Sequence, residues 1–454
     1  MLKPLSFNGK ALVRTIDSDG YCSEHKFTIS WTPTYYDSPT SIDPVYFNVA
    51  TVHFANGTSK TFKSNEGPIT HANTVEAYGS EITSIDFVDS QFHLDTVTFT
   101  SNYYVTPMES LMSGTRNLRY FYGNLTMDGN TSVKNMFNGC YSLGKSTNSG
   151  GVFGESGGPA LRDCHNLTSL EGMFSGAFLY YDSDAVYDCH YFDFDDVFDD
   201  LSTITSMKDM FRGCRHLGIV KLQKKNGQTR TPSLTNMSYM FYNTDLRYIE
   251  PEYDLFSSDL RGLDTSNVTD MSYLFGSCNI TYIDQTLDTH NVTNAQGMFA
   301  GSKITNFSSG ASAYWDFSSV TNMSHFFSSC TLLQYPSLHN FNNGDSLVDI
   351  SYLCNECTAM RGIVIDFVGS RITNMNHMFY GCSALEWVSM KNLSLTGTPN
   401  MTSMFSGCSS LAEINLSKDV TANTLNLIKN RLQTDVGGTW STMSTGTSTI
   451  LYKG

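Results

Sequence analysis

In the segment SNVTDMSYLFGSC (266–278), Met271, Leu274 and Phe275 fall at i, i+3 and i+4, and the spacing returns at Met375, Met378 and Phe379 and at Met401, Met404 and Phe405. It places three apolar side chains on one face of a short helix. Thr269 precedes them as an N-cap, its hydroxyl free to accept from an early helical N–H. Gly139, Gly213, Gly381 and Gly407 each follow the aligned Phe by two residues and predict a left-handed corner that ends the helix turn. The period then drops to two, as in Leu385–Met390 and Leu411–Leu416, which predicts a short strand.

The unit recurs. Aligned on the last residue of the Met-Phe-type pair, eleven copies place that residue at Met112, Phe137, Phe174, Phe211, Phe241, Phe275, Phe299, Phe327, Cys354, Phe379 and Phe405. Spacings are 25, 37, 37, 30, 34, 24, 28, 27, 25 and 26, the longer ones carrying insertions. One unit cannot bury its apolar face alone, whereas stacked units can. Three residues after the aligned position stand Cys140, Cys214, Cys278, Cys330, Cys357, Cys382 and Cys408, but Thr115, Ala177, Thr244 and Ser302 in the other copies. Exchange among Cys, Ala, Ser and Thr selects for small size. A metal ligand would not tolerate Ala, and the odd total of 11 cysteines does not suit a disulfide ladder. The repeat core is therefore Met271, Leu274, Phe275 and Cys278 with Met375, Met378, Phe379 and Cys382 and Met401, Met404, Phe405 and Cys408, and these residues specify architecture.

The phrases VTDMSYLFGSC and LDTHNVTNAQGMF, with Leu-x-x-Ile/Val-x-Leu/Met runs between phrases, resemble the BspA-like leucine-rich repeat family over about 105–418. The resemblance implies an α/β leucine-rich-repeat solenoid, with a short helix turn plus a short strand per repeat, and a binding or adhesive role. Such repeats occur on bacterial and protozoan surface proteins and in phage-encoded proteins, and they bring no catalytic residues with them.

The ends differ. Residues 1–75 hold alternating β-rich runs, among them KFTISW and VYFNVATVHF, with an Asn56-Gly57 turn. They predict a β-sandwich-like domain that caps or anchors the array. The solenoid is expected over 76–418, with Ile82–Phe87 and Leu94–Phe99 as degenerate first coils. Residues 419–454 read as a C-terminal cap of helix plus hairpin, with Leu425, Ile428 and Leu432 on one helix face.

Charged residues are 16% and net charge is −15, so the polar surface is mostly Ser, Thr, Asn and Gly. An acidic chain argues against nucleic-acid binding, which needs concentrated Lys and Arg. The basic group Lys221, Lys224, Lys225 and Arg230 reads as a solvated loop. No apolar run reaches membrane-spanning length, and the N-terminus lacks an export signal, so synthesis without ordinary export is expected.

The repetition breaks most sharply at DSDAVYDCHYFDFDDVFDD (182–200). Carboxylates so close can bind Ca²⁺, although the Gly and terminal Glu of an EF-hand are missing. Asp interleaved with Tyr suits a partner-facing loop, and Asp182, Asp184, Tyr187, Asp188, Tyr191, Asp193, Asp195 and Asp196 are the candidate partner-binding residues. Tyr103, Tyr104, Tyr180 and Tyr181 add to this irregular half. His325 and His377 occupy equivalent outward helix positions. Gly144-Lys145-Ser146 lacks a phosphate-loop context. No catalytic, metal or cofactor residues are expected. The expected function is that of a non-enzymatic structural or binding protein. Without an export signal, a phage virion component (fibre, appendage or capsid-associated) is favoured over a bacterial cell-surface adhesin. Its partners would be other virion or surface proteins, or a host-surface protein or glycan, within an oligomeric assembly.

Overall fold

A computed structural model describes residues 6–7, 10–11, 28–33, 48–70, 72–78, 82–87, 94–100, 108–123, 125–127, 130–143, 161–179, 190–246, 248–249, 258–283, 287–307, 315–338, 346–366, 371–393, 395 and 397–454. The eleven phrases stack as rungs of a parallel ladder. Single β-bridges run from Ser132 through Ser169, Ser206, Asn236 and Asp270 and on, rung by rung, to Asn400.

The expected α/β leucine-rich-repeat solenoid, with a helix turn in each repeat, does not form. Each phrase is a pair of tight turns, and the described residues are mostly strand and turn, with a six-stranded mixed sheet at the C-terminal end. The reason lies in the backbone. The residue two before the aligned position is left-handed in every rung, as at Tyr239 (φ 58°), Tyr273 (53°), Gly297 (59°) and His325 (60°), and so is the residue two after it. A right-handed helix cannot pass through such residues. Hydrogen bonding alternates accordingly. The N–H groups of Met271, Tyr273, Phe275 and Ser277 donate to carbonyls of the next rung at 2.6–3.0 Å. Those of Leu274, Gly276 and Cys278 close local turns three residues back. A helix would have sent all of them four residues back.

Thr269 is not an N-cap either. Its hydroxyl donates to the Thr235 carbonyl one rung earlier, and Thr205, Thr235, Thr293 and Thr321 repeat the pattern at 3.0–3.2 Å. The acceptor is the next residue: Asp270, Asn322 and Asp349 take the N–H two residues on at 2.8–3.0 Å, a side-chain turn that Asn and Asp form readily. Asp270 and Asp349 are each flanked along the ladder by Asn, so no two carboxylates stack, and Asn294 and Asn374 donate to them.

Inside, the aligned phenylalanines form a spine. Phe137, Phe174, Phe211, Phe241, Phe275, Phe299 and Phe327 stack with ring centroids 5.4–5.9 Å apart until Cys354 interrupts, and Phe379–Phe405 resumes it. Each buried ring contributes about 1.5–3 kcal/mol, so the stack rather than any one rung holds the array.

At the N-terminal end, Ile69–Thr70, Thr28–Pro33, Leu94–Thr100 and Tyr120–Gly123 form one sheet, and Ser59–Lys63, Asn48–Phe54 and Ile82–Asp86 another. Ile82–Asp86 and Leu94–Thr100, expected as first coils, pair antiparallel with strands of this region. Leu94–Thr100 is the junction, because its other edge runs parallel to Tyr120–Gly123. At the C-terminal end Ser337–Leu338, Gly362–Ile365, Trp387–Met390 and Glu413–Ser417 run parallel, and the hairpin Trp440–Ser444 with Ser448–Lys453 closes the sheet antiparallel. Helix Ala422–Asp435 is capped by Thr421 and buries Ile428 and Leu432. Among the described residues no helix is long and apolar enough to cross a membrane.

Candidate functional site

The candidate partner residues separate. Asp182, Asp184, Tyr187 and Asp188 lie outside the described residues, as do Tyr103, Tyr104, Tyr180, Tyr181 and Gly144-Lys145-Ser146. Tyr191 sits in strand His190–Asp193, parallel to Leu217–Lys221. Asp193 accepts from the Asp195 N–H at 2.9 Å and caps the turn Phe194–Asp196. Asp195 is ion-paired with Arg230, which is buried, so Arg230 is not part of a solvated loop. Burial raises the Asp196 carboxyl, and the charges of Asp193 and Asp195 add to this. Asp195 thus ties the insertion to Arg230, while Asp193 caps its own turn. Among the described residues no three or more His, Cys, Asp or Glu are placed to hold a metal ion.

The twelve repeat-core residues are all buried, at most 7% exposed. The thiols are there for more than size. All seven repeat cysteines donate to the carbonyl of the aligned residue one rung earlier, at 2.7–3.1 Å. Burial pushes Cys278 up to about 11 and Cys408 up to about 12, and raises the others as well. These thiols stay protonated at neutral pH, the opposite of what a nucleophile needs.

The feature that periodicity does not reveal is the outer face of the turns. There the left-handed positions line up from rung to rung, and their side chains lie over one another. Tyr239 stacks on Tyr273 at 4.8 Å, and Tyr273 folds over Gly297, where a Cβ would lie 2.3 Å from the ring. His325, Tyr352 and His377 continue the column at 4.6 and 4.8 Å. The two histidines are thus not on a helix but on left-handed corners. Burial lowers His325, against the pull of Asp349, and the Nδ1 of His377 is buried with no hydrogen bond. The one sequence signal for this column was Gly, Asn and Asp (Gly172, Gly297, Asn135, Asp209) at the same place in different copies, residues that tolerate positive φ.

Toward the first half of the ladder the column opens into a depression of about 330 Å³. Gly172 forms its floor, with φ +60° and the Asn135 Oδ1 where a Cβ would stand, 2.3 Å away. Lys134, Lys208 and Arg212 supply positive charge, and Glu171 and Asp209 negative. Burial pushes the Glu171 carboxyl up, but Lys134 at 3.1 Å and the Ser206 hydroxyl at 3.0 Å outweigh it and leave it below the ordinary range. Arg212 pairs with Asp209 at 3.1 Å and lies over the rings of Tyr239 and Tyr242, which fixes its guanidinium at the edge of the depression.

Buried protonated thiols, a structural spine and a varied outer column define a stacked-repeat protein. The chain belongs to the family described as "Mycoplasma protein of unknown function, DUF285", whose model matches residues 182–312 and 294–419, together more than half of its length. No curated protein and no solved structure matches it.

Proposed function

We propose that the chain is a non-enzymatic binding protein of the BspA-like type, displayed on an outer surface, which presents the turn face of its ladder to a partner. One observation carries this reading. Within this single molecule the core columns repeat Met, Phe and Cys, while the outward column runs Asn135, Gly172, Asp209, Tyr239, Tyr273, Gly297 and His325. The core columns hold residues of one shape because they are packed on all sides. The outer column packs only against its own neighbours at the surface, as Tyr273 does over Gly297, so it admits residues of different kinds and is where recognition can be written. Half-buried Tyr on a rigid scaffold offers large contact area at little entropic cost. The family match to mycoplasma proteins favours the cell-surface setting, and no observation on the molecule adds to the virion reading.

The full chain should bind saturably to at least one member of a panel of immobilised extracellular-matrix proteins and polysaccharides. The double variant Tyr239→Ser/Tyr273→Ser should lose that binding while a Lys418→Ala control keeps it. Retained binding by the double variant, or no bound member at all, overturns the reading.

A further inference from the structure

In the depression over Gly172, charged and amide groups of the turn face meet around an open space. Its two carboxylates are already engaged, Glu171 by Lys134 and Ser206 and Asp209 by Arg212. Among the described residues the side chains of Lys208, Asn135 and Asn138 make no hydrogen bond or ion pair. The site therefore holds three cations against two satisfied carboxylates, on a chain whose net charge is −15. The Lys208 ammonium, which acts on Glu171 only at a distance, and two amides remain open to a ligand. That set suits a ligand with one negative charge and several neutral donors and acceptors. The volume, about 330 Å³, is at the small end of ligand sites, room for about one sugar ring.

From this arrangement we propose that the depression binds a carboxylated sugar residue of an acidic polysaccharide. The carboxylate sits on Lys208 and the free edge of Arg212, and the ring hydroxyls meet the amides of Asn135 and Asn138. Gly172 is required because any side chain there would occupy the floor. An acidic peptide side chain would satisfy Lys208, but a sugar ring sets several hydroxyls beside its carboxylate, within reach of both amides at once. The rim cations are partly exposed, so binding weakens as salt rises.

This assignment rests on the turn face being the binding face, and calorimetry on the full chain tests it with a defined probe, an octasaccharide of alternating glucuronate and N-acetylglucosamine. Saturable binding is expected, with about a tenfold loss in Lys208→Gln, the size of one charge-assisted hydrogen bond. Asn138→Ala should weaken it too, the exposed-site control Lys391→Gln should not, and the carboxyl-reduced octasaccharide should fail to bind. No saturable binding, unchanged binding in Lys208→Gln, or equal or tighter binding of an oligoglutamate peptide each overturns the sugar assignment. If the octasaccharide fails while Tyr239→Ser/Tyr273→Ser still abolishes panel binding, only the ligand class falls and the turn-face reading stands.

Discussion

The thiol of Cys278 shows how little freedom a rung position leaves. It must be small, because it is buried beneath the preceding rung, and it gains by being a donor, because the Phe241 carbonyl 2.7 Å away has a second lone pair to fill. Thr244 fills the equivalent place by bonding its own rung's Phe241 carbonyl at 2.9 Å, and Ala177 occupies it with no donor. The thiol also sets a pH limit. An unfolded cysteine ionises near pH 8.5, whereas burial holds Cys278 protonated to about 11 and Cys408 to about 12. Below the unfolded value both states are protonated and the contribution is fully present. Above it only the unfolded chain releases protons, so stability falls by about 1.4 kcal/mol per pH unit per thiol until the folded value is passed. Urea midpoints under reducing conditions should be flat between pH 7 and 8 and drop steeply by pH 10, less steeply in Cys278→Ala. A flat profile through pH 10 would show that these thiols do not titrate differently in the two states.

At the scale of the element, the double turn is what separates this ladder from a helical repeat, and glycines test it. Gly114 is left-handed at φ +79° with open space where a Cβ would stand, so Gly114→Ala should cost about 1 kcal/mol, the strain of an L-residue there. Gly407 is left-handed at +84°, but its Cβ would meet the Gly381 backbone at 3.0 Å. Backbone in the middle of a stack cannot give way as a side chain can, so Gly407→Ala should cost distinctly more. Equal thermal shifts for the two would mean that the Gly381 backbone gives way to the added Cβ. The same geometry explains what the chain's text could and could not convey. Burial of Met271, Leu274, Phe275 and Cys278 was legible because three-residue turns and helices both bring i, i+3 and i+4 together. For the same reason that spacing could not distinguish a helix from two turns. The second left-handed site was legible at Gly213 or Gly381, since glycine marks it. The first was hidden wherever Tyr239, Tyr273 or His325 occupies it, because stacking on the neighbouring rung, not local preference, holds those residues at positive φ. The depression was hidden further still, because it is made by three successive rungs, and only stacking brings Lys134, Gly172 and Lys208 together.

For the whole molecule the question is how a ladder ends, since every rung donates its N–H groups to the next one. At the last rung there is no next carbonyl. Asp435, at the end of helix Ala422–Asp435, takes its place: its carboxylate accepts from the Phe405 N–H at 3.0 Å, which in every earlier rung faces the neighbouring backbone, and from the Ser406 hydroxyl at 3.1 Å. Arg431 pairs with it one helical turn back and neutralises the charge, whose side chain is 3% exposed. The helix is therefore more than a lid on apolar surface, since it supplies an acceptor for an N–H that earlier rungs give to the next one. In a stack held by nearest-neighbour contacts, loss of an end interaction frays that end first. Asp435→Ala leaves the Phe405 N–H and the Arg431 guanidinium without a partner and should cost about 2–4 kcal/mol. Hydrogen exchange should then quicken at Phe405, Ser406 and the amides of Glu413–Ser417, while rungs around Phe174 and Phe211 keep their protection. Asp435→Asn, which retains an acceptor but not the charge, should fall between. Uniform loss of protection along the whole ladder in Asp435→Ala would instead mean that the rungs unfold as one cooperative unit and that the cap acts on all of them at once.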